Sequence, residues 1–234
     1  MKKLRIVICL FVLFSVFGCS RNANPKTENK LFFNKVMDTM QKNDSFKIKM
    51  HSIATIDGEE VDGGNVLYYF NNYYDDSTRE SIVETNSRNE QIGEDNLKVI
   101  YKNRVTNIYL KGEHKGSPFE MDEFYINLEF LKLDKKDIED IKFNEKDRKL
   151  TFTLNSKDET LLNSLFKHSN QGQEEESDAV LKEGKYELIL NKNNTIKSCK
   201  RTVVMTVEGY ELTGIAEIDI LNYKKQKIEL PSDE

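Results

Sequence analysis

The 234 residues hold no Trp, only three Pro and three Cys, and just three His. Catalytic signatures are missing as well: there is no Gly-x-Ser-x-Gly elbow, no phosphate loop, no His-Glu-x-x-His and no Cys-x-x-Cys. His51, His114 and His168 are far apart, and none has a second His at helical or strand spacing. Nothing activates a nucleophile, so a non-enzyme with no cofactor and no metal is expected. Positive charge is short too. Lys and Arg number 35 against 40 Asp and Glu, a formal net charge of -5. A nucleic-acid binder needs clustered cations to displace counterions, and that class is excluded.

What is present begins with an address. Lys2, Lys3 and Arg5 precede an unbroken apolar run, Ile6 to Phe14. The run is too short to cross a bilayer, which takes about 20 apolar residues, and it has the form of a secretory signal. The segment ends Val16-Phe17-Gly18-Cys19, which resembles the bacterial lipobox. That resemblance implies a signal peptide over 1–18 and a diacylglyceryl thioether on Cys19, the membrane anchor of the mature chain, with palmitate-type acyl groups. An ordinary signal peptide or an uncleaved anchor are the alternatives. Two acyl chains hold durably where one holds marginally. Losing 1–18 takes the net charge from -5 to -8. The polar stretch 19–29 reads as a tether. Cys199 then remains the only thiol without a covalent role, a small strand residue rather than a nucleophile.

From residue 30 onward the pattern is that of one domain. Phe33, Val36, Met37 and Met40 recur at i, i+3, i+4 and i+7, which predicts an amphipathic helix over 31–42. Period-two alternation follows from Phe46 to Ile56, then Gly63-Gly64 marks a break before Val66 to Phe70. Short apolar runs at 82–83, 97–101 and 105–110 continue the rhythm of an antiparallel meander. Helical spacing returns at Met121–Leu131 and at Leu161–Phe166. Ile141–Phe143 and Leu150–Leu154 predict a hairpin, and 186–190, 196–207 and 210–221 predict three closing strands. Strands polar on one face belong to a sheet covered on one side. The expected class is α+β, mainly β: one large curved antiparallel sheet of nine or ten strands, an unclosed half-barrel with helices packed on its concave face, spanning 30–234.

This order of elements resembles the LolA-like lipoprotein-carrier superfamily, and within it a Gram-positive membrane-lipoprotein branch. The resemblance rests on the lipobox at Cys19, helix 31–42 leading into Phe46–Ile56, the central helices, and the closing strands with a tail at Ile228-Glu229-Leu230-Pro231. It implies an extracytoplasmic, lipid-anchored half-barrel of about eleven strands that holds acyl chains between sheet and helices. The candidate lining is Met37, Met40, Tyr68, Phe70, Phe124, Tyr125 and Leu128. The same side chains also make an ordinary core. In that second reading the chain is an interaction module, and its acidic stretch Gln171–Asp178 meets a partner protein or envelope polymer. The acidic runs at 57–62 and 174–178 lack EF-hand spacing and read as solvated charge.

Overall fold

A computed structural model describes residues 25–56, 58–86, 96–116, 128, 130–131, 133, 136–154, 180–207 and 209–230. Among them are one helix and eleven strands: α1 (Pro25–Gln41), β1 (Phe46–Ile56), β2 (Glu59–Asn71), β3 (Glu80–Asn86), β4 (Asn96–Lys102), β5 (Val105–Leu110), β6 (Glu113–Gly116), β7 (Ile138–Asn144), β8 (Lys149–Leu154), β9 (Val180–Leu190), β10 (Ile196–Val207) and β11 (Tyr210–Asn222). The strands form a single sheet in the order β6-β5-β4-β3-β2-β1-β11-β10-β9-β8-β7, every described pair antiparallel. The two ends do not meet. The first strand pairs with the last, so the chain's two halves join at the centre of the sheet.

The periodic stripe fixes how α1 lies. Phe33, Val36, Met37 and Met40 are all buried. Phe33 meets Phe152 of β8 edge-on at 5.3 Å, and Phe32 stacks on Phe143 of β7 at 3.9 Å between centroids. The helix starts at Pro25, six residues before the start at 31 that the periodicity predicts. Residues 25–29, expected as tether, are therefore its first turn. Proline's fixed φ suits the first helical position, and Glu28 places negative charge beside the positive end of the dipole. Asn29 Nδ2 donates to the carbonyl of Ile141 at 3.0 Å, which ties that turn to the edge strand β7.

Register sets one apolar face. Ile220, Ile48, Tyr68, Val83, Val99 and Ile108 stand opposite one another across six strands. A second row runs Leu150, Leu188, Cys199, Ile218, Met50 and Val66. Both rows pack into the core that α1 covers, and Cys199 lies buried in that core as a strand residue. Gly63-Gly64 does not break the strand. β2 runs through both glycines, with the register shifting between Ser52 and Ile53 opposite them. A Cβ on Gly63 would run into Ser52 Oγ, so the missing side chain admits a bulge. Strand β6 was not expected, because Glu-His-Lys-Gly carries no apolar alternation. The helical patches expected around 121–127 and 161–166 lie outside the described residues.

The opposite face divides in two. Over β1, β10 and β11 it is exposed charge, with Lys200 and Glu217 paired at 3.0 Å. Over β2–β5 it is apolar: Ile82, Ile100 and Tyr109 form a second small core with Tyr69 beside it. The C-terminal tail covers this core by inserting Ile228, which is buried. Asn71, itself buried, secures the tail the way a strand would. Its Nδ2 donates to Gln226 O at 3.0 Å, and Gln226 N donates to its Oδ1 at 2.7 Å. Lys102 Nζ adds a bond to Ile228 O at 2.6 Å.

Truncating Ile228 to Ala should cost about 2–4 kcal/mol, the usual range for a buried aliphatic. Asn71→Ala should cost about 1–3 kcal/mol by stranding the tail's polar groups. Because both act through one strap, the double variant should lose clearly less than the sum. Urea unfolding of the four proteins decides it, and full additivity would mean that the tail is not held as a unit.

Candidate functional site

The candidate site is the helix-bearing face, and its lower half is filled. Met37, Met40, Tyr68, Phe70 and Leu128 are all buried and belong to one cluster. Tyr68 stacks nearly parallel to Phe70 at 5.9 Å. Phe70 in turn meets Phe46 at 5.4 Å and Tyr73 at 5.0 Å. Met40 is fully buried, and its thioether accepts from Ile196 N at 3.4 Å and from the Tyr223 hydroxyl at 3.2 Å. Tyr223 OH also donates to Ile196 O. The structure thus gathers five of the predicted lining residues and packs them closely. Cys19, Phe124 and Tyr125 lie outside the described residues, as does the acidic stretch Gln171–Asp178.

Two tyrosines beside this cluster hold the segment that follows it. Tyr73 OH donates to Leu128 O at 3.4 Å, and Tyr74 OH donates to Leu131 O at 3.2 Å. Burial pushes the Tyr74 phenol above its ordinary value, and the charge of Asp44 raises it further. Tyr223 is pushed up as well, first by burial and then by Tyr74.

The upper half of the same face differs. Beyond the row of Ala216, the ends of β1, β2, β10 and β11 set Ala54, Val61, Gly214 and Val203 side by side. The next row is Ile56, Leu212 and Met205, with the exposed Glu59 of β2 opposite Ile56. Ile56 is 45% exposed and Val61 46% exposed. A Cβ placed on Gly214 would meet nothing within 4 Å, so there is open space above the sheet at that point. Arg201 sits on this face too, opposite Tyr186 and Ala216, where the filled half gives way to the open half. Sequence reading did not single out these residues. Their alternation is visible, but Arg-Thr-Val-Val-Met-Thr-Val has apolar groups on both faces, so only the pairing register tells which face each belongs to.

Among the described residues no three or more His, Cys, Asp or Glu side chains gather as a metal group. No described helix is long and apolar enough to cross a membrane.

No family profile and no curated protein matches the sequence. Solved structures do resemble its fold. LprF from Mycobacterium bovis is 10% identical, with 89% of this chain and 99% of that chain aligned and a TM-score of 0.46. A LolA superfamily protein from Nitrosomonas europaea is 11% identical over 85% of this chain and 94% of its own, TM-score 0.33. A DUF1329 family protein from Desulfovibrio piger is 9% identical over 86% and 92%, TM-score 0.34. At such overlaps nothing about ligand or site passes from them to this chain.

The raised phenols give a pH signature. A group whose folded pKa exceeds its unfolded value contributes stability that is complete below the unfolded pKa and is lost as pH rises through the folded one. The ordinary phenol value is 10.0. Stability should therefore decline above about pH 10, where the unfolded chain ionises Tyr74 and Tyr223 and the folded chain does not. Tyr74→Phe should flatten that decline. Urea midpoints from pH 8 to 11 measure it, and equal slopes in the two proteins would refute it.

Proposed function

We propose that this protein is a non-enzymatic lipoprotein, anchored on the extracytoplasmic face of the cell membrane through Cys19, that binds a lipid or other hydrophobic ligand between its sheet and its helices. One observation carries the reading. The helix-bearing face continues past its packed core into an apolar area that is exposed to water, with open space over Gly214. Soluble proteins do expose scattered apolar groups, but neighbouring ones set on one face of a sheet mark a binding surface. Ile56 and Val61 stand on adjacent strands next to Ala54, Leu212 and Met205.

In this reading the sheet curves around α1, and α1 is the movable part. Met37 and Met40 face Tyr68, Phe70 and Leu128 across the packed half, and thioethers adapt to new neighbours at little cost. Phe124 and Tyr125 would extend the lining. The membrane supplies a site of loading and unloading within reach of a tethered body. The domain division is 1–18 signal, 19–29 linking residues whose last turn joins α1, and 30–234 a single half-barrel.

The packed state of the predicted lining favours a second reading, the closed-core interaction module. There the acidic stretch Gln171–Asp178 would engage a partner protein or envelope polymer. Two measurements separate them. Native mass spectrometry of the protein purified from its membrane should show a lipid adduct in the carrier reading and none in the module reading. Deletion of 171–178 should abolish partner capture only in the module reading. Independently, Cys19→Ala should end metabolic labelling by radioactive palmitate and release the chain from the membrane fraction. Continued labelling of that variant would refute the anchor.

A further inference from the structure

We infer that the apolar patch on β2–β5 is a peptide-docking surface, kept closed by the chain's own C-terminal tail. When the tail lifts, the patch takes an extended partner segment with an aliphatic side chain two places beyond a non-proline residue. The patch lies on the face away from α1, so this inference is independent of the carrier reading.

The seated tail displays the chemistry that the patch reads. Asn71 Nδ2 donates to the carbonyl of Gln226, and the amide of Gln226 donates to Asn71 Oδ1. Both bonds go to backbone, so a residue with an N–H meets them and proline does not. The Gln226 side chain adds nothing to the patch. Its Nε2 turns back to Asn222 Oδ1 at 2.9 Å and to the carbonyl of Lys224. Two residues on, Ile228 enters among Ile82, Ile100 and Tyr109, and its carbonyl accepts from Lys102 Nζ. Backbone bonds for affinity, with an apolar pocket for one side chain, are the usual terms on which extended peptides are recognised.

The holding groups are fixed by partners other than the tail. The Glu80 carboxylate on β3 accepts from Asn71 Nδ2 at 3.1 Å and pairs with Lys102 Nζ at 3.4 Å. It thereby joins the two groups, one at the end of β2 and one at the end of β4. Tyr69, beside the apolar cluster, is held too: its hydroxyl donates to Glu84 at 3.1 Å, and Lys47 Nζ lies over its ring at 4.5 Å. A surface set in advance lowers the ordering cost for whichever segment arrives.

The tail itself is held lightly. It belongs to no strand, and of residues 224–230 Ile228 alone is buried. Tyr223 is fixed by its bond to the carbonyl of Ile196, so release begins at Lys224. The ion pair of Lys227 with Glu229 lies within the tail and does not tie it to the sheet. Segments with few buried apolar groups open locally, well before the whole molecule unfolds.

The test uses the full-length protein in nanodiscs of neutral lipid and a fluorescent peptide of residues 224–234. Ile228→Asp in the full chain keeps its own tail from seating, and this variant should bind the peptide one to one. Wild type should bind it at least about tenfold more weakly, because its own tail fills the patch most of the time. Peptides carrying Ile228→Asp or Gln226→Pro should not bind, whereas Gln226→Ala should bind as the natural sequence does. Adding Asn71→Ala to the Ile228→Asp chain should abolish binding. Equal binding by wild type and Ile228→Asp would overturn the closed tail, and binding indifferent to the peptide substitutions would overturn the docking chemistry. No binding to a folded Ile228→Asp chain would overturn both. Should Ile228→Asp not fold, residue-resolved hydrogen exchange of the wild type decides. The amide of Gln226 should exchange at least about a hundredfold faster than those of β1 and β11, and equal protection would overturn the inference.

Discussion

Met40 sits where the helix, the last strand and the β9–β10 turn converge. Its thioether takes the amide of Ile196 and the hydroxyl of Tyr223, and its methylenes are fully buried. An open sheet has no closing seam, so its two halves are one body through the β1–β11 ladder and contacts of this kind. The joint of β1 with β11 brings the first and last strands together at the centre. The α1 stripe packs on the β7–β10 side of that joint, with Phe32 on Phe143, Phe33 against Phe152 and Met40 at Ile196, and shares one buried cluster with Phe46 and Ile48 of β1. The eleven strands depend on it because a sheet bare on both faces would not persist alone.

Two edges and a second face remain, and each is managed differently. Strand β6 is four residues long and carries Glu113, His114 and Lys115, and a short charged edge is a poor template for another chain. Strand β7 is interrupted by a register shift between Glu139 and Lys142, and Asn29 of α1 occupies the carbonyl of Ile141. On the face away from the helix, β2–β5 would expose Ile82, Ile100 and Tyr109 but for the tail. The side chain of Asn71 imitates a peptide group there, so a segment that pairs with no strand is held with strand-like bonds. The strap leaves the helix-bearing side untouched, and that side is thus free to carry function.

Much of this was legible from periodicity. The stripe Phe33-Val36-Met37-Met40 predicted which residues of α1 are buried, and alternation predicted most of the strands within a few residues. The polar start of α1 was not legible, because Pro25 to Asn29 has no apolar period and its helicity comes from terminal chemistry. Gly63-Gly64 looked like a break because bulge and turn have the same local signal until the partner strand is known. Of the expected candidate lining, Met37, Met40, Tyr68, Phe70 and Leu128 share one buried cluster. Whether such a cluster is solid or hollow is a property of tertiary packing, which no spacing encodes. The open strip was missed for a related reason. It is made by register between β2, β1, β11 and β10, and register is a relation between distant segments.

The contrast within one face is the most informative feature. Along β1, burial passes from Phe46, Ile48 and Met50, all buried, to Ala54 and Ile56, which are not. At the same end the opposite face carries Ile53, Ile215, Thr55 and Thr213, while its charged pair Lys200–Glu217 lies nearer the middle of the strands. The helix-bearing side keeps Ala54, Ile56, Val61, Leu212 and Met205 at its tip, with Glu59 opposite Ile56, and loses side-chain volume at Gly214. Exposed aliphatics invite aggregation and strand glycines weaken the ladder, so this combination works against stability on two counts. It recurs on the four neighbouring strands β2, β1, β11 and β10.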